Sequence, residues 1–138
     1  MKYLLEEEYE YDFRLIGISC HAQNYRVCWG INNALGLRLT RTDEDLEVLG
    51  KKSKELSTHS VYSYFDEELQ NEYFLLSNRT SLGFLLPEQT MADYLLMLKE
   101  DSPLEISELT SKIRNIPFVL TTFELSVEEL KSKENLIF

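Results

Sequence analysis

The stretch VYSYFDEELQNEYFLL, residues 61–76, decides the fold class of this chain. Two runs rich in aromatic and β-branched residues, 61–65 and 73–76, flank a polar and acidic link. This arrangement is typical of an antiparallel β-hairpin. Tyr62 and Tyr64 share one face of the first strand, because side chains alternate along a strand. An exposed aromatic face is therefore expected here unless the sheet is covered on both sides.

Further extended segments surround this hairpin. Alternating or continuous apolar residues predict strands near 37–40, 45–48, 82–86 and 92–98, and the run FVLTTF at 118–123 predicts a last one. Part of the segment 3–18 is also predicted to be extended. Short polar links between the segments favour antiparallel neighbours, since parallel strands need long crossovers.

Two main helices are predicted. Cys28, Ile31 and Leu35 recur on one face of a segment that runs from 19 to 35, and Gly36 supplies a left-handed stop. A second helix is predicted over 103–114, because a serine cap at residue 102 precedes a proline at the first helical position.

The string SVEE, residues 126–129, is a capping box that predicts a further short helix. The expected fold is therefore α+β: a largely antiparallel sheet of five or more strands with two main helices on one face. A chain of 138 residues fits one domain, residues 1–138.

The chain carries a formal net charge of −10, with 24 acidic and 14 basic residues. Such a surface repels phosphate backbones and anionic membranes, so neither nucleic acid nor a membrane is an expected partner. Lys51, Lys52 and Lys54 form the only dense basic cluster and are interpreted as a solvated turn.

Cys20 and Cys28 match no metal-binding or redox spacing and are expected to be buried free thiols on one helix. No apolar run of signal length follows the first residues, so a cytoplasmic location is expected. In that compartment the glycosylation sequon formed by Asn78, Arg79 and Thr80 has no role.

Sequence patterns for known reaction types are missing from the chain. Only His21 and His59 provide an imidazole base, and the five glycines form neither a nucleophile elbow nor a phosphate-binding loop. No His or Cys spacing suits a metal ion. We therefore predict no catalytic residue, no cofactor and no metal site.

Glu88 and Asp93 are a candidate binding pair, because they lie in a loop between two predicted strands. Loops held by rigid strands often carry binding chemistry. In the structural alternative, Glu88 follows the turn proline Pro87 and Asp93 bonds nearby backbone N–H groups. The structural alternative is favoured, since loop carboxylates are common.

Tyr25, Arg26 and Trp29 form a second candidate. On a helix, Tyr25 and Trp29 are four residues apart and lie along one side. A partner-binding patch is one interpretation, because Tyr, Trp and Arg dominate protein interfaces. The favoured interpretation is that both rings pack in the core beneath the sheet.

The string LPEQTMADY, residues 86–94, resembles the signature of the IPExxxVDY family, small bacterial proteins named for that string. Four residues match at the family's spacing: Pro87, Glu88, Asp93 and Tyr94. Leu86 stands where the family has Ile, and Ala92 where it has Val. The resemblance extends through 12–18, 25–32 and 131–136, nearly the whole chain. It implies a single domain and supplies no reaction.

Two functional hypotheses follow. The first is a non-catalytic interaction protein, acting as a homodimer or through a protein partner by way of an aromatic-bearing sheet face or helix. The candidate binding residues are Tyr25, Arg26, Trp29, Pro87, Glu88, Asp93 and Tyr94. The second is a small enzyme or ligand-binding domain that uses the carboxylates of residues 87–94. The lack of reaction motifs favours the first. Because each subunit is acidic, self-association is expected to bury apolar and aromatic surface.

Overall fold

The computed structural model of the protein describes residues 13–99 and 106–136. Its strands are β1 (Phe13–Cys20), β2 (Thr40–Arg41), β3 (Leu46–Leu49), β4 (Leu56–His59), β5 (Val61–Asp66), β6 (Asn71–Ser77), β7 (Tyr94–Lys99) and β8 (Val119–Leu125). Its helices are α1 (Asn24–Leu35) and α2 (Ile106–Arg114). Short 3-10 turns follow at Val127–Glu129 and Lys133–Leu136.

Six strands form one antiparallel sheet in the order β2-β5-β6-β7-β1-β8, and β3 pairs with β4 in a separate ribbon. β1 lies inside the sheet, between β7 and β8. It is apolar on both faces, since Leu15, Ile16 and Ile18 are fully buried. At Gly17 the Phe123 ring packs directly on the backbone, where an added Cβ would stand 2.5 Å from the ring.

Both helices cover the same face of the sheet. Ile31 of α1 and Ile113 of α2 belong to one apolar core with Ile16 and Ile18. The other face is covered by the β3–β4 ribbon, the irregular segment between β6 and β7, and the C-terminal turns. The sheet is therefore buried on both sides. Neither helix in the described part of the chain is long and apolar enough to cross a membrane.

The structure confirms the predicted α+β class, with a six-stranded antiparallel sheet, the 61–76 hairpin and two helices. Gly36 ends α1 as predicted, with φ 68° and its N–H bonded to the Asn32 carbonyl. However, α1 begins at Asn24 rather than at residue 19, because β1 continues to Cys20. The two cysteines thus lie on different elements. Both are buried free thiols, as predicted.

Two local predictions are wrong. Residues 82–86 form no strand: Arg79 and Phe84 make an isolated bridge, and Leu85 and Leu86 turn inward to the second core. The capping box at Ser126 starts only a three-residue 3-10 turn without a side-chain cap bond. The predicted helix is confirmed over 106–114, whereas residues 103–105 and those before 13 lie outside the described residues.

The prediction that the hairpin has an exposed aromatic face is also wrong. Tyr62 and Tyr73 are buried in the core beneath the helices, and Tyr73 stacks with Tyr64 at 6.1 Å between ring centroids. The alternation of side chains was assigned correctly, but helices cover the face on which these rings lie. The hairpin tyrosines therefore stabilise the fold.

β8 forms one edge of the sheet and pairs with β1 alone among the described strands. The register shifts between Ser19 and Cys20, and Arg114 Nη2 donates to the Thr122 carbonyl at 3.1 Å. An irregular backbone and an occupied carbonyl both discourage pairing with another strand. Strand addition is therefore disfavoured at this part of the edge.

Candidate functional site

Asn78 organises the motif loop, the name used here for residues 86–94. It follows β6 and is fully buried. Its Nδ2 donates to the carbonyl oxygens of Gln89 and Ala92 at 2.9 and 2.8 Å, and its Oδ1 accepts from the Leu86 N–H at 2.7 Å. One amide therefore satisfies three backbone groups of an irregular segment that has no ladder of its own.

Asp93 joins the motif loop to the end of β1. One of its carboxylate oxygens accepts from the Cys20 N–H at 2.9 Å, and the other lies 3.0 Å from Arg79 Nε. The Asp93 N–H also donates to the Ile18 carbonyl at 2.8 Å. The side chain is only 12% exposed. Both carboxylate oxygens are thus engaged by other groups of the protein.

Arg79 is itself held by three contacts. Besides its ion pair with Asp93, its Nη2 donates to the Thr90 carbonyl at 2.9 Å, and its guanidinium lies 5.3 Å from the centroid of the Phe84 ring. A guanidinium over an aromatic face is attracted by the ring quadrupole. The orientation of Arg79 is therefore fixed and its charge is balanced locally.

An open pocket of about 220 Å³ lies beside this ion pair and is lined by Cys20, His21, Ala22, Arg79, Asp93 and Tyr94. The Tyr94 hydroxyl donates to the Ala22 carbonyl at 2.6 Å, and burial raises the pKa of Tyr94 to about 12. Burial also raises the pKa of the Cys20 thiol, which disfavours the reactive thiolate. No nucleophile among these lining residues is activated.

Glu88 contacts the C-terminal turns rather than the pocket beside Asp93. Its carboxylate accepts from the Ser132 N–H at 2.8 Å and from the Ser132 hydroxyl at 2.5 Å. Burial alone would raise the pKa of Glu88, but these bonds outweigh it and hold the pKa below its ordinary value. A second link runs from Asn135 Nδ2 to the Leu85 carbonyl at 2.9 Å. The two carboxylates of the motif loop therefore bind different parts of the protein. Pro87 is exposed in the turn just before Glu88.

Tyr25, Arg26 and Trp29 lie together on the outside of α1, and this group is called the aromatic face below. Tyr25 is 68% exposed and Trp29 is 66% exposed. The Arg26 guanidinium lies 5.0 Å from the centroid of the half-buried Phe118 ring. The favoured expectation that both rings pack in the core is therefore wrong.

A competing stripe of α1 explains why these rings are outside. Val27 and Ile31 are also four residues apart, and they are buried. Each residue turns a helix by about 100°, so Tyr25 and Trp29 lie on the opposite side from that stripe. Asn32 fixes this orientation, because it donates to the Leu39 carbonyl at 3.1 Å and accepts from the Leu39 N–H at 2.8 Å.

Ser57 and His59 form a pair that the sequence did not reveal. Ser57 Oγ lies 2.7 Å from His59 Nε2, and His59 Nδ1 lies 2.8 Å from the Ser77 carbonyl oxygen. This resembles a nucleophile and its base, but both side chains are buried, and burial lowers the pKa of His59. The bonds therefore link β4 to β6 inside the core. Alternation on β4 was the signal that placed the two residues on one face.

Comparisons with family models, with curated proteins and with solved structures found no match for this chain. Within residues 13–99 and 106–136, no group of three or more His, Cys, Asp or Glu side chains is arranged to hold a metal ion. The motif loop and the aromatic face are the two candidate sites in the described part of the chain.

Proposed function

We propose that this chain is a non-catalytic interaction protein that binds a second copy of itself, or another protein, through the aromatic face of α1. The observation that carries the proposal is the exposure of Tyr25 and Trp29, at 68% and 66%, on one side of a single helix. Large aromatic side chains gain free energy on leaving water and dominate interface hot spots. Arg26, stacked on Phe118, adds the third residue type enriched there.

The firm attachment of α1 supports this choice of surface. Val27, Cys28 and Ile31 anchor the helix in the core, and Asn32 bonds it to Leu39. A surface that is already ordered loses less conformational entropy on binding.

A small enzyme or ligand-binding domain built on Glu88 and Asp93 has weaker support. Glu88 is bonded to Ser132 and Asp93 to Cys20 and Arg79, in separate places. Each carboxylate would have to abandon these partners before it contacted a ligand. We therefore prefer the interaction protein.

We also propose that the chain belongs to the IPExxxVDY family and acts in the cytoplasm. The matching residues Pro87, Glu88, Asp93 and Tyr94 support the family. The two free cysteines support a reducing compartment, where disulfides rarely form.

Trp29 is the only tryptophan in the chain, so its fluorescence reports directly on the aromatic face. We expect the emission of a solvated indole in dilute protein and a blue shift when the face is covered. Emission and light scattering behind size exclusion are measured over a dilution series at low and high salt. If α1 pairs with its copy, both signals follow one concentration dependence and salt does not reverse it, because the contact is apolar.

Two variants sharpen this experiment. Tyr25→Ala keeps the reporter and should weaken the association, whereas Leu120→Ala removes a similarly exposed side chain on β8 and should not. If the wild-type protein shows no shift, affinity capture from the native host compares it with Trp29→Ala. Recovery of the same partners in equal amounts by both baits would contradict the proposal.

A further inference from the structure

Two turns of the molecule carry opposite charge, and each is flanked by exposed apolar side chains. The basic turn is the end of the β3–β4 ribbon, where Lys51, Lys52 and Lys54 are all exposed. Leu49 and Leu56 lie directly opposite each other at its base, 62% and 49% exposed. Three of the chain's 14 basic residues thus surround one solvent-facing leucine pair.

The acidic turn connects β5 to β6. Glu67 and Glu68 are exposed there, and Phe65 and Leu69 on either side of them are 48% and 50% exposed. Asp66 Oδ1 accepts from the N–H groups of Glu68 and Leu69 at 3.0 and 3.2 Å, which keeps its own charge within the turn. The acidic turn therefore has the same composition as the basic turn, apolar side chains beside charge, with the sign reversed.

The two turns are separated along the chain. β4 starts at the basic turn and β5 ends at the acidic turn, with only Ser60 between the strands. The turns therefore flank residues 56–66, a stretch that would span up to roughly 35 Å if it were fully extended. No ion pair found among the described residues joins them.

We propose that the chain forms a two-fold dimer in which the basic turn of each copy seats on the acidic turn of the other. A two-fold axis creates this contact twice, because the same patches of both copies then meet reciprocally. The leucines of one turn cover Phe65 and Leu69 of the other, and this apolar contact provides the affinity. Exposed ion pairs contribute little free energy individually, so the lysines and glutamates mainly set the orientation.

A second copy fits these surfaces better than another occupant. An anionic membrane would attract the three lysines but repel a body whose net charge is −10. It would also leave Phe65 and Leu69 exposed. This inference goes beyond the proposed function, since the contact between the turns uses none of the residues of the aromatic face.

The experiment exchanges the signs of the two turns. One variant carries Lys51→Glu, Lys52→Glu and Lys54→Glu, and a second carries Glu67→Lys and Glu68→Lys. Each alone should dissociate at least about ten-fold more readily than the wild-type dimer, because like charges then face each other. An equimolar mixture should recover the wild-type mass, since one contact of the mixed dimer then has its signs inverted and the other keeps its native signs.

The mixture is informative because general attraction cannot explain it. Three Lys→Glu changes of −2 each take the net charge from −10 to −16, and two Glu→Lys changes of +2 each take it to −6. Both variants are still acidic and repel each other overall, so only the matched turns can rescue the dimer. Salt should narrow the difference between the wild-type protein and each charge variant, because screening shortens the range of both attraction and repulsion at the turns, while the apolar contact persists.

Several outcomes would overturn the inference. They are a wild-type monomer at tens of micromolar, a dimer indifferent to both variants, and a mixture that stays monomeric. Lysine-dependent binding to phosphatidylserine vesicles by a monomeric protein would assign the basic turn to a membrane instead. A dimer lost in Trp29→Ala but kept in both charge variants would support the aromatic face and reject the turns. The reverse pattern would place the dimer at the turns and leave the aromatic face to another protein.

Discussion

The motif loop and the aromatic face differ in how far their polar and aromatic groups are already engaged within the molecule. In the motif loop, Glu88 and Asp93 hold distant parts of the chain through bonds to Ser132, Cys20 and Arg79. On the aromatic face, Tyr25 and Trp29 are left largely in water. The carboxylates of the motif loop are already bonded within the protein. The exposed rings of the aromatic face are available to contact a partner.

This contrast shows why a short polar motif can be structural. Residues 78–93 connect two neighbouring strands and pack on one face of the sheet without forming a strand, so their backbone groups need partners from elsewhere. Asn78, Asp93 and Glu88 provide these partners. A helix makes most of its backbone hydrogen bonds internally, so its outer side chains are not needed as partners for backbone groups. Substitutions in the motif loop should therefore lower the stability of the fold more than substitutions on the aromatic face.

Asn78→Ala should lower the free energy of unfolding by about 2–5 kcal/mol, because it leaves the Leu86 N–H and the Ala92 carbonyl oxygen without a partner and removes one of the two donors to the Gln89 carbonyl. Urea unfolding followed by circular dichroism measures the loss. Asn33→Ala, at an exposed position of α1, is the matched control and should change little. A loss below about 1 kcal/mol for Asn78→Ala would mean that this amide does not organise the loop.

Glu88→Ala should cost about 1–2 kcal/mol, since it removes two hydrogen bonds to a carboxylate at the surface. The pKa of Glu88 is held below its ordinary value of 4.5, so its contribution is present above pH 4.5. That contribution is lost as the pH falls through the lowered pKa.

Urea unfolding of both proteins between neutral and acidic pH checks this. The gap between wild type and Glu88→Ala should close on acidification, while Glu134→Ala, exposed on the last turn, should show no gap at any pH. A gap that widens in acid would show that Glu88 is bonded in its protonated form.

Tyr94→Phe should cost about 1 kcal/mol near neutral pH, through loss of the hydrogen bond to the Ala22 carbonyl. Burial raises the pKa of Tyr94 to about 12 from an ordinary 10.0, so its contribution is complete below pH 10. It declines as the pH rises from 10 to 12, because the unfolded chain ionises first. Unfolding at several pH values should show the stability of the wild type falling to that of Tyr94→Phe and then below it over that range. Parallel curves would contradict the burial of this hydroxyl.

Tyr25→Ala and Trp29→Ala should change the free energy of unfolding of the monomer by less than about 0.5 kcal/mol, because both rings lie outside the core. Thermal and urea unfolding in dilute protein provide the measurement. A loss of about 2 kcal/mol or more would show that the rings pack against the fold after all. Tyr25 and Trp29 would then have a structural role, as the motif loop does.

Local signals predicted much of the fold. The hairpin follows from alternating residues around an acidic link, and Gly36 ends α1 because glycine adopts the left-handed conformation easily. The end of β1 and the start of α1 were predicted wrongly, and the cause lies in tertiary contacts. β1 extends to Cys20 because Asp93 accepts its N–H, and no local pattern in 19–24 encodes that partner.

The sites were harder to predict, because they depend on competition between equivalent patterns. Tyr25 with Trp29 and Val27 with Ile31 have the same spacing, and only the packed structure shows which pair faces the core. In the sequence, Asn78 was recognisable only as part of a sequon. Its structural role was not predictable, because its three hydrogen bonds join it to residues 8 to 14 positions away in an irregular loop. Such bonds leave no periodic trace in a sequence.

The position of β1 between β7 and β8 has a consequence for synthesis on the ribosome. β1 ends at Cys20, whereas its neighbours start at Tyr94 and Val119. At translation rates of about 5–20 residues per second, roughly 4–15 s pass before even the first residues of β7 are made. Leu15, Ile16 and Ile18, fully buried in the end, are without their strand partners for that time. We therefore expect this strand to be the part of the nascent chain most exposed to aggregation, until its neighbours are made.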